Sequence, residues 1–203
     1  MKVALIDYRA GNLTSVEKAF AALGADLFIP AAPPELERAD AIVVPGVGHF
    51  AATGALGDAW VRAIRASLER GRPLLGICLG MQWLYERSDE SPDLPGLGIF
   101  RGRCARLPSE WNRASVKIPH VGWNSLDIRR RDSIVDQVAA GSQVYFTHSF
   151  AAPITPDTVA VTEHGREFAA VVQRGRIAGV QFHPEKSGEV GLQVLRNFLE
   201  LAR

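Results

Sequence analysis

The sequence predicts an α/β protein: a mainly parallel twisted sheet flanked by helices on both faces, with an added, mostly antiparallel set of strands. Three observations carry this. Apolar runs alternate with amphipathic helical stretches through the first half of the chain. One such run, Leu74 to Ile77, leads directly into Cys78, which stands between Gly76 and Gly80. From Gly98 to Val180 the pattern changes to short alternating runs bounded by turn residues.

Taken in order, Met1 to Asp7 reads as a first buried strand, its apolar part too short for a signal peptide. Thr14-x-x-Glu17 then resembles a capping box, and Leu13, Val16, Phe20 and Leu23 form the apolar stripe of a helix stopped by Gly24. Ala41 to Val44 is a second apolar strand, and Val61, Ile64 and Leu68 line a helix ending near Gly71. After the strand Leu74 to Ile77, Leu79 to Tyr85 begins another helix. Val144 to Phe150, Thr158 to Thr162 and Ala169 to Gln173 supply the antiparallel additions. Glu189 to Leu201 closes the fold as an amphipathic helix with Val194, Leu195, Phe198 and Leu199 inward. With no repeat, low-complexity tract or linker, residues 1–203 are expected to form one domain.

The strand-Gly-x-Cys-x-Gly-helix order is that of a nucleophile elbow. The two glycines remove Cβ atoms that would clash where the strand turns back into the helix, and the thiol sits at a helix N-terminus, where N–H groups and the helix dipole favour a thiolate. A base and its orienter are supplied by His183-Pro184-Glu185, since residues two apart on an extended chain project to the same face. Cys78, His183 and Glu185 thus form a candidate nucleophile, base and orienter for acyl transfer. Taken alone, Cys78 could be a small buried hydrophobe and His183-x-Glu185 a surface ion pair; a structural cysteine, however, has no need of flanking glycines. Cys104 lacks such a context and reads as structural.

The loop Val44-Pro45-Gly46-Val47-Gly48-His49 falls at the same sheet edge. Gly46-x-Gly48-x-x-Ala51 formally fits a dinucleotide fingerprint, but no acidic strand end follows at the required distance. The alternative is an oxyanion loop, in which the backbone N–H groups of Val47 and Leu79 stabilise a tetrahedral intermediate.

Composition narrows the class further. With 23 basic and 22 acidic residues, the near-neutral chain shows no signature of a nucleic-acid or membrane surface. Arg129-Arg130-Arg131, cut short by Asp132, reads as a solvated turn. Two cysteines fit a reducing compartment, hence an expected cytoplasmic location, and no paired His/Cys spacing calls for a metal or other cofactor.

The segments Pro45 to Gly48, Gly76-Ile77-Cys78-Leu79-Gly80-Met81-Gln82 and Gln181-Phe182-His183-Pro184-Glu185 resemble those of the class I, triad-type glutamine amidotransferases, whose sheet is flavodoxin-like, across essentially the whole chain. Asp7 to Asn12, Pro45 to Phe50, Pro119-His120-Val121-Gly122-Trp123-Asn124 and His183 to Ser187 are most similar to glutaminase subunits of imidazole glycerol phosphate synthases, enzymes at a branch of histidine biosynthesis. Tyr8-Arg9-Ala10 departs from the glycines or prolines common before Gly11 in that group.

The resemblance implies L-glutamine as substrate, a cysteinyl thioester intermediate, and ammonia passed to a cyclase subunit with a (β/α)8 barrel in a heterodimer. It places Gly48, Gln82, Glu90, His148, Ser149 and Phe150 in the glutamine pocket, and Asn12, Trp123, Asn124 and Lys186 at the partner interface and ammonia exit. The residue types alone leave Glu90 readable as part of a solvated loop, Trp123 as core and Lys186 as merely exposed. A glutaminase serving another synthase, a cysteine peptidase or thiol stress protein on the same sheet, and a non-catalytic subunit are the competing functions.

Overall fold

The computed structural model describes residues 1–11 and 13–203. The elements run β1 (Lys2–Leu5), α1 (Leu13–Ala22), β2 (Asp26–Phe28), β3 (Ala41–Val44), α2 (Asp58–Glu69), β4 (Leu74–Ile77), α3 (Leu79–Trp83), β5 (Tyr85–Ser88) and β6 (Phe100–Arg106). They continue with β7 (Glu110–Trp111), β8 (Ala114–Ser115), β9 (His120–Ser125), β10 (Asp127–Ile128), β11 (Gln143–His148), β12 (Phe150–Ala151), β13 (Thr158–His164), β14 (Arg166–Arg174), β15 (Ile177–Val180) and α4 (Gly188–Glu200).

Eight strands form the main sheet in the order β10-β13-β14-β15-β4-β3-β1-β2. The block β15-β4-β3-β1-β2 is parallel, and the other joints are antiparallel. The antiparallel addition therefore extends the parallel sheet itself, while β9 and β11 form a separate antiparallel ribbon.

Alternation along the central strands divides the core. Val3, Leu5, Ala41, Val43, Leu75 and Ile77 pack with Val16 and Phe20 of α1 and with Val194, Leu195 and Phe198 of α4. Ala4, Ile6, Ile42, Val44 and Leu74 face the other way, toward Ile64 of α2 and Leu79, Met81 and Trp83 of α3. Strands buried on both faces must be apolar throughout, which is why their sequences read as unbroken hydrophobic runs.

Several sequence expectations need correction. Ala41–Val44 is the third strand, because the short edge strand Asp26–Phe28 has a polar first residue and only partial burial. The helix after Cys78 stops at Trp83, and Tyr85 begins β5 instead of extending it. Helix α1 already begins at Leu13, so Thr14 lies inside its first turn and does not head a capping box. Val144 to Phe150 is broken at Ser149 into β11 and β12. The three arginines are solvent-exposed as expected, though each is anchored: Arg129 meets Asp127 and Glu167, Arg130 binds the carbonyls of Pro156 and Gln173, and Arg131 binds that of Val138.

Among the described residues, no helix is long and apolar enough to cross a membrane. Both cysteines are buried and free.

Candidate active site

Strands β3, β4 and β15 lie side by side and parallel, with Val44 opposite Gly76 and Val180 opposite Ile77. Their carboxyl ends therefore bring three sequence-distant segments to one edge: the loop from Pro45, the turn at Cys78 and the stretch from Gln181.

Cys78 adopts φ 52° and ψ −105°, a conformation costly for a residue bearing a Cβ, and it is held there by its neighbours. Its N–H donates to the Val180 carbonyl at 2.8 Å, and its own carbonyl accepts from the Gln82 N–H at 3.1 Å. The flanking glycines serve the predicted steric purpose. A Cβ on Gly80 would lie 1.8 Å from the Val44 carbonyl oxygen, and one on Gly76 would lie 2.7 Å from that of Gly80. Because α3 is only five residues long, its dipole is a smaller influence than the sequence suggested. A specific donor is also present: Gln181 Nε2 stands 3.5 Å from Cys78 Sγ.

His183 and Glu185 do not project from a continuing strand. β15 ends at Val180, and Pro184 opens a single 3-10 turn, Pro184–Lys186, which folds the carboxylate back onto the imidazole. Glu185 Oε1 lies 2.8 Å from His183 Nδ1, with the side chains 4% and 2% exposed. His183 Nε2 is buried and, among the described residues, has no partner meeting hydrogen-bond geometry. Burial pulls the imidazole pKa down, but the neighbouring Cys78, followed by the hydrogen-bonded carboxylate of Glu185, outweighs it and raises the pKa to about 10. The imidazole beside the elbow sulphur is therefore favoured in its protonated form.

Beside Cys78 is a cavity of about 220 Å³ lined by Gly48, Leu79, Gln82, Glu90, His148, Ser149 and Phe150, together with Pro119 and Thr147, which the sequence reading did not assign to the pocket. Every residue expected in the glutamine pocket is on this wall. Glu90 also accepts the Phe50 N–H at 2.7 Å, so it is not part of a free solvated loop.

Behind the cavity, hydrogen bonds fix the polar side chains in one direction. His148 Nδ1 must donate to the Phe150 carbonyl (2.9 Å), leaving Nε2 to accept from His120 Nδ1 (3.1 Å). Asn124 Nδ2 faces the remaining nitrogen of His120 at 3.3 Å. Gln82 Nε2 donates to the same Phe150 carbonyl and to Gln181 Oε1, at 2.8 and 3.0 Å, which orients Gln181 toward the sulphur. Burial, followed by the neighbouring histidines, lowers the pKa of His120 to about 4 and that of His148 to about 3, so both are neutral in this chain near pH 7.

The two N–H groups expected to hold an oxyanion are occupied. Val47 N–H donates to the Ala10 carbonyl at 2.9 Å, and Leu79 N–H donates to the Gly46 carbonyl at 3.2 Å. The Gly46–Val47 peptide thus points its carbonyl toward the Leu79 donor and its own N–H away, and the expected oxyanion site is not assembled.

Of the residues expected at a partner surface, Trp123 is 57% exposed, which excludes a core role, and Lys186 is also exposed. The sequence missed what joins them: the Tyr145 ring lies 6.1 Å from that of Trp123 and 5.9 Å from Lys186 Nζ. Asn124 turns its amide inward, to His120 and to the Glu163 carbonyl. Asn12 lies outside the described residues. Among the described residues, no group of three His, Cys, Asp or Glu is arranged to hold a metal ion.

Comparison with known proteins agrees with this architecture. The chain matches the family described as glutamine amidotransferase class-I over residues 4–202. It is 44% identical to the imidazole glycerol phosphate synthase subunit HisH of Methanothermobacter thermautotrophicus over 202 residues, 99% of each chain. It is 45% identical to the protein of the same name from Methanopyrus kandleri, over 98% of each chain. Among solved structures, PurLQS from Thermotoga maritima shares the fold, with a TM-score of 0.77 at 19% identity over 100% of this chain and 99% of that one. The chain belongs to the class I glutamine amidotransferase family, in the group containing the HisH subunits of imidazole glycerol phosphate synthase.

Proposed function

We propose that residues 1–203 form a single glutaminase domain, working in the cytoplasm as one half of a heterodimer with a (β/α)8-barrel cyclase subunit, and that Cys78, His183 and Glu185 perform its chemistry. The observation that carries this is the convergence of three strand ends on one pocket, with the buried His183–Glu185 pair at 2.8 Å beside the elbow cysteine.

L-Glutamine enters the cavity and the Cys78 thiolate attacks its side-chain amide carbon, giving a tetrahedral oxyanion. Collapse breaks the C–N bond as His183 gives its Nε2 proton to the leaving nitrogen, so ammonia departs and a glutamyl thioester remains. Water, deprotonated by His183, then attacks the thioester; glutamate leaves and the thiolate is restored. Glu185 holds the imidazole in the tautomer and orientation that both steps need.

Efficient turnover requires the Gly46–Val47 peptide to rotate, freeing Leu79 N–H and bringing Val47 N–H to the oxyanion. One such donor is worth about 100- to 1,000-fold in rate. A resting site without it wastes little glutamine, and ammonia is made when the cyclase is ready. Ammonia exposed to neutral water is protonated and lost as a nucleophile, so direct transfer to the partner is required. Trp123, Tyr145 and Lys186 offer an exposed surface beside the triad turn through which docking would act.

The test is glutamate release by the purified chain, alone and with the cyclase subunit and its nucleotide ligand. A slow isolated chain strongly stimulated by the liganded partner supports the proposal. Full activity in isolation refutes the coupling, and no activity in either state refutes the glutaminase.

A further inference from the structure

The hydroxyl of Tyr8 is buried and, among the described residues, has no hydrogen-bond partner. The residue is 5% exposed, and its oxygen presses on the oxyanion loop: a Cβ on Gly46 would lie 1.9 Å from Tyr8 Oη. Nearly all buried polar groups in folded proteins are paired, so an orphan at this place calls for a reason. A phenylalanine would fill the same space without the cost of burying a hydroxyl.

The hydrogen bonds of the Gly46–Val47 peptide supply that reason. Its carbonyl now accepts from Leu79 N–H, and its N–H donates to the Ala10 carbonyl. Turning the peptide over exchanges these directions. Val47 N–H gains the site, but the Gly46 carbonyl gives up Leu79 and swings toward the side where Ala10 presents another acceptor. A buried carbonyl facing a carbonyl needs a donor, and Tyr8, two residues before Ala10, brings an unused one to the Cα of Gly46. We propose that the Tyr8 hydroxyl is the donor that receives the Gly46 carbonyl when the peptide turns to form the oxyanion site, which makes Tyr8 a positioning residue for turnover.

Burial, followed by the nearby charge of Cys78, pushes the phenol pKa up, so the hydroxyl keeps the proton it would donate. The hydroxyl is unpaired in the resting state and paired in the active one, so it favours the active state. This inference rests on the glutaminase proposed above.

Tyr8→Phe removes the donor and keeps the ring. In the full chain assembled with the cyclase subunit and its nucleotide ligand, the stimulated kcat for glutamate release is expected to fall about tenfold, the worth of a typical buried hydrogen bond. Glutamine KM stays within twofold, and the Tm of the chain is not lowered. Incorporating 3-fluorotyrosine at position 8, a stronger donor of similar size, raises the stimulated kcat. A stimulated kcat for Tyr8→Phe within twofold of the unmodified chain overturns the proposal. So does a joint rise in KM and fall in Tm, which would mark a packing role, or a fluorotyrosine chain slower than the unmodified one. If the unmodified complex releases no glutamate from glutamine, the glutaminase reading itself has failed and the Tyr8 role goes with it.

Discussion

Replacing Glu185 by Gln separates the proposed orienter from the proposed base with almost no change in volume. The carboxylate lies 2.8 Å from His183 Nδ1 with both side chains almost wholly buried, so little solvent screens the pair. A hydrogen bond involving a charged group contributes about 1.5–3 kcal/mol. At about 1.4 kcal/mol per decade, its loss corresponds to roughly 10- to 150-fold in kcat. The neutral amide can also turn its NH2 toward the ring, which favours the wrong tautomer and deepens the loss. Steady-state glutamate release with the liganded cyclase gives kcat, and nitrogen NMR of His183 follows its protonation, because the variant removes one of the groups that hold the imidazole pKa near 10. A Glu185→Gln chain within twofold of the unmodified kcat, with an unchanged His183 titration, would refute the orienting role. His183→Ala, which removes the proposed base itself, should be slower than Glu185→Gln; the opposite order would sink the division of roles.

Other consequences are open to measurement. Gly80→Ala drives a Cβ to 1.8 Å from the Val44 carbonyl oxygen, so the elbow must shift, and both Tm and glutamine hydrolysis should drop together; a normal Tm would contradict the packing described. His120 and His148, with pKa values depressed to about 4 and about 3, bind protons less readily folded than unfolded. Their contribution to stability is complete above about pH 6.5 and is lost as pH falls through those values, so denaturant midpoints should decline over that window. His148→Gln should flatten the decline, and an unaltered slope would show that other groups cause it. Trp123→Ala should lower the stimulation by the cyclase more than it lowers Tm, as expected for an exposed residue; equal stimulation would remove it from the coupling surface.

The legible parts of this molecule were those where one physical demand fixes the residue type. Strands buried on both faces must be apolar throughout, which exposed β1, β3 and β4, and an elbow needs its glycines, which exposed Cys78. Edge strand β2, short and half exposed, carries no such demand and was missed. The pairing of His183 with Glu185 was anticipated, but through an extended chain; the 3-10 turn started by Pro184 makes it instead. Gln181 was visible as part of a motif, yet its aim at Cys78 depends on Gln82, remote in sequence and joined to it only by the fold. Peptide direction was hidden altogether: Gly46-Val47-Gly48 permits either orientation of the Val47 N–H, and the Ala10 and Leu79 hydrogen bonds select the one observed.

The most direct measurement compares two nitrogen sources in the assembled synthase carrying Cys78→Ser. A hydroxyl cannot replace the thiolate in this site, so glutamine-driven formation of product should vanish. The same complex supplied with ammonium salt should keep the rate of the unmodified enzyme, because the proposed division of labour puts the cyclase chemistry in the partner. Retained glutamine-driven turnover would contradict Cys78 as the nucleophile, and loss of the ammonium-driven reaction in a folded, assembled complex would contradict the division of labour between the two subunits.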